Sequence, residues 1–303
     1  MKKIVAIAVN TFKEAVRNRV LYLLLVFALI IMAGSGVVGE LTISARDRII
    51  KDLGVASINF FGLLIAVFVG IGLVYNELDK KTIYTIVTKP IDRWQFILGK
   101  YLGLLLTIYV IVMVMTLFFL SVINYQHYTN DEVMTKALWK TGAEGEWISP
   151  GFLDYILYYL KSIFLSLGKG LLTLTGIYTP EPNVTQNIIM VVFYGCFELA
   201  IITAFAILYS SFSTPMLSAL LTVMTFIIGR LNADIIVFAD RLKSKGLETM
   251  GEKMNYWFAW CAAHITPNLW LFNKRSSVAA NADKLGIDVY ALLYGLLYTA
   301  AII

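Results

Sequence analysis

Residues 75–103 read YNELDKKTIYTIVTKPIDRWQFILGKYLG and form a charged segment between two long apolar runs. Glu77 and Lys81 stand four residues apart, in the order that supports a helical turn. Pro90 disfavours helical geometry at the residue before it, so this helix should end there. Asp92, with a glutamine three residues later, is related to a capping box and predicts the start of the next helix. The segment therefore predicts a helix, a break and a second helix at a membrane face.

The apolar composition of the chain defines its class. Hydrophobic residues make up 59% of the 303 residues and charged residues 15%, and the mean hydropathy is +0.75. These values are typical of a polytopic membrane protein and exclude a soluble domain. At roughly 20 residues per span, the chain supplies about six transmembrane helices. We therefore expect an all-α membrane protein with loops and amphipathic helices between its spans.

The first 19 residues predict a helix that lies in the plane of the membrane interface. Val5, Ala8 and Phe12 fall on one helical face, while Lys3 and Arg17 fall on another. This pattern suits a helix whose basic side chains reach lipid headgroups. The alternative is a basic flank that only anchors the first span. Because charged residues interrupt the apolar run, we expect no cleaved signal peptide.

The distribution of Lys and Arg predicts which loops face the cytoplasm. Five basic residues lie within residues 1–19 and five within 80–100, whereas residues 126–186 hold four basic and six acidic residues. The positive-inside rule then places both termini and the central segment in the cytoplasm. Residues 230–288 carry eight basic and six acidic residues, but long loops follow the rule poorly. With six spans, this region falls on the outer side.

Several kinds of site have no motif in the sequence. No G-x-x-x-x-G-K-[ST] loop occurs, so an ATP-driven process would need ATP and Mg²⁺ bound by a separate subunit. His127 and His264 lie in no metal-binding cluster, no G-x-S-x-G elbow occurs, and the two cysteines imply no disulfide framework. The net charge of +5 fits an inner face that meets anionic lipid. We expect no cofactor or metal on this chain and no nucleic-acid partner.

Glu198 is the one ionisable residue placed deep within a predicted span. A charge at the bilayer centre costs roughly 2.5 to 3.5 kcal/mol on insertion scales, so such residues usually face a protein interior or a cavity. One interpretation is a polar contact in a translocation path or at a dimer interface. The other is a protonated or hydrogen-bonded carboxyl with a structural role. The sequence leaves both open.

The central segment resembles the loop between the second and third spans of type-2 ATP-binding-cassette (ABC) export permeases. The matching positions are Glu77, Lys81-Thr82-Ile83, Lys89-Pro90, Arg93 and Gly99-Lys100. In that family the loop carries a coupling helix that docks on the ATPase subunit. The resemblance therefore implies an ATPase-coupling surface made of Glu77, Lys80, Lys81, Thr82, Ile83, Lys89, Pro90 and Arg93. The alternative is an ordinary amphipathic loop that obeys the positive-inside rule.

The resemblance extends to three other parts of the chain. It implies that the N-terminal helix is the family's interfacial elbow helix. Residues 210–215, SSFSTP, are similar to the family's short inner turn, and residues 267–273, PNLWLFN, to the segment before its final helix. Related exporters carry two re-entrant helices on the outer side before that segment. The long insertion at residues 126–186 departs from the family's simplest pattern.

Together these features divide the chain, which we expect to be one transmembrane domain. The predicted parts are an elbow helix (1–19), spans one to three (20–125) with an inner coupling loop (76–100), an outer insertion (126–186), spans four and five (187–229), an outer region (230–285) and a sixth span (286–303). The chain stops at Ile303 within an apolar run, and we expect a C-terminal tail beyond it.

The function implied by the resemblance is that of a permease subunit in an ABC exporter. Such a subunit is not itself catalytic, and it works with two ATPase subunits and a second permease subunit, identical or different, in a bacterial or archaeal cytoplasmic membrane. The alternatives are an ATP-independent carrier, although we find no internal repeat typical of carriers, and a membrane-embedded enzyme that modifies lipid. The substrate stays open, since one fold serves many kinds of cargo.

Overall fold

A computed structural model describes ten parts of the chain. These are residues 2–40, 46–79, 92–130, 140–141, 147–148, 157, 160, 184–245, 249–274 and 287–303. Helices dominate these parts, which confirms the expected all-α membrane fold. The two short strands, β1 (Lys140–Thr141) and β2 (Trp147–Ile148), pair antiparallel within the insertion.

Nine α-helices and one 3-10 helix lie in the described ranges. They are α1 (Lys2–Val16), α2 (Arg19–Glu40), α3 (Arg46–Asp79), α4 (Arg93–Asn130), α5 (Val184–Ser210), α6 (Pro215–Arg230), α7 (Asn232–Lys245), α8 (Met250–Ile265), the 3-10 helix (Leu269–Phe272) and α9 (Val289–Ile302).

The helices extend further into charged sequence than the hydropathy pattern predicts. Residues 39–54 carry six charged residues between two apolar runs, yet α2 runs to Glu40 and α3 begins at Arg46. Ile50 is buried at the start of α3, so this stretch keeps an apolar helical face among its charges. Charged side chains lower hydropathy without ending a helix, since Arg, Lys and Glu have good helix propensity.

Three of the described helices are long and apolar enough to cross a membrane: Arg48–Gly72, Trp94–Ile123 and Asn187–Ser210. Two bent pairs meet the same test together, with bends of 63° between α1 and α2 and 61° between α6 and α7. The shorter apolar helix Val289–Ile302 completes the set. These six elements follow the order of the six predicted spans, and the number of true crossings stays a prediction.

Contacts between the long helices fix their relative directions. Gly62 and Gly70 of α3 approach Leu199 and Ala206 of α5, so these two helices run parallel. The α4 helix runs antiparallel to α5, because the Tyr101 hydroxyl donates to the Ala200 carbonyl and the Tyr109 hydroxyl to that of Cys196.

The same reasoning places the ends of the molecule. Phe197 and Phe205 of α5 meet Gly295 and Tyr298 of α9, so α9 runs parallel to α5. The last residues of α3, α5 and α9 therefore lie at one side, together with the beginnings of α4 and α6. We call this the loop side, because residues 80–91 connect α3 to α4 there.

The core lies among α3, α4 and α5, where large side chains are fully buried. These include Ile58 and Ile65 on α3, Met115 and Phe119 on α4, and Ile201 on α5. Gly62 is a close packing point between α3 and α5, since a Cβ there would lie 2.8 Å from a methyl carbon of Leu199. Gly72 has no such neighbour within 4 Å.

Candidate functional site

Glu198 and Arg230 form a bidentate ion pair between α5 and α6. Arg230 Nε donates to Glu198 Oε1 at 2.5 Å, and Nη2 donates to Oε2 at 2.7 Å. The Glu198 side chain is 3% exposed and that of Arg230 21%. Two parallel hydrogen bonds between a guanidinium and a carboxylate are among the strongest polar contacts in proteins. Glu198 is therefore held as a paired, hydrogen-bonded carboxylate.

The pair lies well inside the membrane-spanning part of the molecule. Glu198 precedes the end of α5 by twelve residues, which is about 18 Å along a helix that rises 1.5 Å per residue. Arg230 ends α6, about 22 Å from Pro215 by the same rise. Glu198 lies halfway along the span-length helix Asn187–Ser210, and Arg230 meets it there. Arg230 reaches back along α6 to meet Glu198.

Arg230 also lies at the joint where α6 turns into α7. Phe226, one turn earlier, places its ring 5.4 Å from the guanidinium carbon. Gly229 packs so closely on the returning chain that a Cβ would lie 2.7 Å from the Pro267 carbonyl oxygen. The next helix begins at Asn232, and its axis is bent by 61° from that of α6. The ion pair thus ties α5 to the point where the chain changes direction.

Asn232 secures the other side of this joint. Its side chain is 1% exposed, and Nδ2 donates to the Ala263 carbonyl at 2.8 Å. The last turn of α8 also receives the Tyr298 hydroxyl of α9 at its Ile265 carbonyl, 3.1 Å away. Helix ends leave carbonyls without intrahelical partners. These two side chains supply the missing donors and fasten α8 to α7 and α9.

Residues 267–273, which resemble a family segment, fill the space behind the joint. Leu269 and Phe272 are buried, while Trp270 is 53% exposed. The Asn268 backbone N–H donates to the Tyr294 hydroxyl of α9 at 2.8 Å. The segment is therefore an anchored plug, and its one exposed indole is placed as interfacial Trp residues usually are.

The two helices before this plug are α7 and α8. They pack on each other and are joined by a short connection, in the place where the resemblance implies two re-entrant helices. Trp257 of α8 is exposed, and its ring meets that of Trp260 edge to face. His264 stacks on Trp260 with ring centroids 4.2 Å apart. An exposed aromatic row of this kind suits an interfacial position.

A further polar side chain reaches α5 close to the ion pair. A Cβ on Gly195 would lie 2.8 Å from Asn59 Oδ1 of α3, so the glycine makes room for this amide. Gly195 precedes Glu198 by one helical turn. Three helices thus bring polar groups to the same level of the bundle interior, in the manner of intramembrane polar sites.

The turn between α5 and α6 carries the serines of the SSFSTP segment. Ser210 Oγ and Ser211 Oγ donate to the carbonyls of Ile207 and Leu208. Ser213 Oγ and Ser218 Oγ lie 2.6 Å apart. The hydroxyls of this turn therefore bind backbone carbonyls and each other, as Ser side chains near helix ends often do.

The predicted coupling surface lies only partly within the described residues. Glu77 is in the last turn of α3, and Arg93 is the first residue of α4. The remaining predicted residues lie outside the described ranges: Lys80, Lys81, Thr82, Ile83, Lys89 and Pro90. Asp92 precedes α4 as the sequence predicts, and Gln95 Nε2 donates to its Oδ2 at 2.7 Å.

At the loop side, α1 crosses the first turns of α4. A Cβ at Gly99 would lie 2.8 Å from Ile7 Cβ, and one at Gly103 would lie 2.5 Å from the Ala8 carbonyl oxygen. Thr11 is 3% exposed at this contact. Glycines four residues apart let two membrane helices approach backbone to backbone. The helix predicted at residues 1–19 is thereby fixed to the helix that follows the coupling segment.

Sequence reasoning identified Glu198 and missed its partners. Arg230 was placed as the first residue of a polar region, and neither Asn59 nor Asn232 was singled out. One signal was available: a carboxylate in a span needs a counter-charge, and a hairpin with its turn at residues 211–214 brings the end of α6 opposite the middle of α5. Asn232 and Asn59 carry no comparable signal, since their partners are a backbone carbonyl and a glycine.

The part of the chain that the structure describes contains no group of three His, Cys, Asp or Glu side chains arranged to hold a metal ion. Cys196 and Cys261 are free thiols, both partly buried.

The sequence was compared with known families and proteins. The model of the family described as "ABC-2 family transporter protein" matches residues 5–256, which is 252 of the 303 residues. No curated protein gives a significant match to the chain.

Proposed function

Because the chain belongs to the ABC-2 transporter family, we propose that it is the permease subunit of an ABC exporter, in which ATP hydrolysis by a separate subunit drives export. The observation that carries this proposal is the family match, which runs from α1 into α8 and covers all three of the span-length helices described. The protein is an integral membrane permease. ATP coupling, the direction of transport and the partners are the proposed part.

The coupling role is proposed for residues 77–93. The segment connects α3 and α4 at the loop side, where α1 also lies. A force applied there by an ATPase would reach α3 and α4 directly, and α1 through its contact with Gly99 and Gly103. Charged residues at both ends of the segment, Glu77 and Arg93, suit a polar protein surface as partner.

The proposed assembly contains two ATPase subunits and two permease subunits, identical or different, in a bacterial or archaeal cytoplasmic membrane. ATP and Mg²⁺ would be bound by the ATPases. The loop side would face the cytoplasm, and both chain ends would lie there. The outward-facing positions proposed for residues 126–186 and for α7 and α8 follow from this orientation.

The Glu198–Arg230 pair bears on the alternative of a lipid-modifying enzyme. A carboxylate used for acid–base catalysis has to exchange protons with substrate. Both oxygens of Glu198 are engaged by Arg230, so catalysis would require this pair to open. The arrangement is better suited to joining two spans.

The test is co-purification of the chain with candidate ATPases, followed by ATPase assays in nanodiscs. Charge reversal by Glu77→Lys or Lys81→Glu should release the ATPase or uncouple its activity. The matched controls are Asp240→Lys and Lys243→Glu on α7, which reverse exposed charges far from the coupling segment. The controls should retain binding. If all four variants bind and hydrolyse like wild type, the coupling assignment is wrong.

A further inference from the structure

Arg230 is held by its neighbours in a way that leaves part of its guanidinium accessible. Glu198 takes one hydrogen bond from Nε and one from Nη2, and Phe226 lies against the group. A guanidinium has five N–H donors. Within the described part of the chain, these two hydrogen bonds leave three donors, including both on Nη1. The side chain is 21% exposed while that of Glu198 is 3% exposed.

This asymmetry determines what kind of group can approach the pair. The carboxylate is enclosed and both of its oxygens are engaged, so a cation has little access to it. The open side presents only N–H donors and positive charge, which fit a hydrogen-bond acceptor with negative charge. Arg is suited to planar, bidentate contact with phosphate and carboxylate.

An open guanidinium is significant here because its partner Glu198 lies halfway along a helix long enough to cross a membrane. Donors that face hydrocarbon without partners are costly, and charged residues in spans usually face a bundle interior or a water-filled cavity. Arg230 lies about 22 Å along α6 from the loop side by the helix rise. Its orientation is already fixed by Glu198 and Phe226, so a ligand would not need to order the side chain.

We propose that the open edge of Arg230 is an anion-binding site beside the α5–α6 contact, and that the cargo carries a phosphate or carboxylate group. Glu198 acts as the positioning residue that aims the guanidinium. This inference rests on the proposed export function only where it calls the anion cargo. The anion could belong to a lipid headgroup or to a dissolved solute, and the experiment separates these sources.

The experiment uses the purified full-length chain in nanodiscs, without an ATPase. In the first arm, inorganic phosphate is titrated at constant ionic strength in phosphatidylcholine discs, and the thermal unfolding midpoint is recorded. In the second arm, discs contain phosphatidylcholine with phosphatidylglycerol, and native mass spectrometry measures which lipid the chain retains. A ligand that binds only the folded state stabilises it by RT ln(1 + [L]/Kd), so the midpoint continues to rise with ligand concentration.

Four variants define the site. Glu198→Gln removes the competing negative charge while keeping a carbonyl that can hold Arg230, so anion affinity should rise by about tenfold or more. Arg230→Lys keeps the charge without the fork, and binding should weaken. The double variant Glu198→Gln/Arg230→Gln leaves no charge buried and should lose binding. Lys243→Gln on α7 removes an exposed cation elsewhere and should bind like wild type.

Each outcome bears on the proposal. Stabilisation by phosphate alone indicates a soluble anionic cargo, enrichment of phosphatidylglycerol alone indicates a lipid headgroup, and both together indicate an anion site that accepts either. The proposal is overturned if wild type responds to neither probe, if the double variant responds as wild type does, or if Glu198→Gln binds no more tightly. Since no ATPase is present, such a failure would leave the exporter proposal untouched, and failure of the coupling test would not affect this one.

Discussion

α1 is joined to α4 through two glycines, whereas α5 is joined to α6 through a carboxylate and a guanidinium. At the first contact, Gly99 and Gly103 bring backbone against backbone with no charge involved. At the second, Glu198 and Arg230 meet through two directional hydrogen bonds, halfway along the span-length helix that holds Glu198. The first contact depends on the absence of side chains, and the second on the presence of two.

The two contacts differ in how they contribute to stability. Close packing of small residues stabilises helix pairs in lipid without burying charge. An ion pair inside a membrane protein pays desolvation on both partners, and well-packed apolar residues often match or exceed its stability. The anion site proposed at Arg230 would give this pair a role beyond joining two helices. This view makes the two contacts respond differently to mutation.

The largest effect is expected when the ion pair loses its cation. Arg230→Met leaves Glu198 buried without a counter-charge, and breaking one side of a buried pair typically costs about 3 to 5 kcal/mol. Stability can be measured by reversible unfolding in mixed micelles with increasing SDS. Glu198→Leu/Arg230→Met removes both charges and should restore most of the loss. If the single and double variants are equally unstable, the charge is not the cause and the comparison drawn above fails.

The comparison also explains what the sequence could reveal about each contact. The α1–α4 contact involves an amphipathic helix and a G-x-x-x-G spacing, both visible in the sequence, yet no pattern states that they meet. The face of α1 that packs on α4 includes Ile7 and Thr11, whereas Val5 of the predicted apolar stripe is 59% exposed. Hydrophobic periodicity indicates that a helix has an apolar face, but it does not show whether that face meets lipid or another helix, because both are apolar.

The hydropathy pattern identifies Glu198, because this carboxyl interrupts an apolar run, but it does not identify Arg230. Arg230 is the last residue of a 16-residue helix that is too short to cross the core alone, at about 24 Å, so a hydropathy window interprets it as the start of a loop. Its role depends on a long-range contact 32 residues away in sequence. The predicted coupling segment differs from the ion pair. Its residues were recognised by resemblance in the sequence, and most of them lie outside the ranges that the structure describes.

The next largest effect is expected at the glycine contact. A Cβ at Gly103 would lie 2.5 Å from the carbonyl oxygen of Ala8, a backbone atom that cannot rotate away. Gly103→Ala should therefore cost about 1 to 3 kcal/mol as overpacking, partly offset by better helix propensity. The control is Gly72→Ala on α3, where nothing lies within 4 Å. That variant should be neutral or up to about 1 kcal/mol more stable.

Hydrogen exchange distinguishes a local clash from global unfolding. Because the clash lies where α1 crosses α4, Gly103→Ala should raise exchange in α1 and in the first turns of α4 and leave α5 unchanged. Unchanged exchange together with normal stability would show that α1 and α4 tolerate bulk at their crossing.

A smaller effect is expected at the hydrogen bond that closes the α6–α7 joint. Asn232→Ala removes the donor to the Ala263 carbonyl and leaves that partly buried acceptor without its partner, for a loss of about 1 kcal/mol. Ser244→Ala, which removes an exposed hydroxyl from α7, should stay within about 0.5 kcal/mol of wild type. Hydrogen exchange should increase selectively in the last turn of α8. Uniform exchange over the whole chain would point to general destabilisation instead.

The smallest effect is expected at a second polar contact between α5 and α6, made by Tyr209 and Thr225. The Tyr209 and Thr225 hydroxyl oxygens lie 2.9 Å apart, and Thr225 Oγ1 also donates to the Leu221 carbonyl within its own helix. Tyr209→Phe therefore removes an interhelical hydrogen bond without leaving Thr225 unsatisfied. Interhelical hydrogen bonds in membranes average about 0.6 kcal/mol, and the loss should be of that order.

A loss at Tyr209→Phe as large as that at Arg230→Met would mean that any polar contact along this interface carries the same weight. The proposed distinction between the ion pair and ordinary helix contacts would then fail. Tyr298→Phe offers the matched control, since its hydroxyl donates to a helix-terminal carbonyl, that of Ile265, instead of to a side chain. Because that hydrogen bond is exposed, water can replace the hydroxyl, so Tyr298→Phe should cost about as little as Tyr209→Phe, and both should cost far less than Arg230→Met.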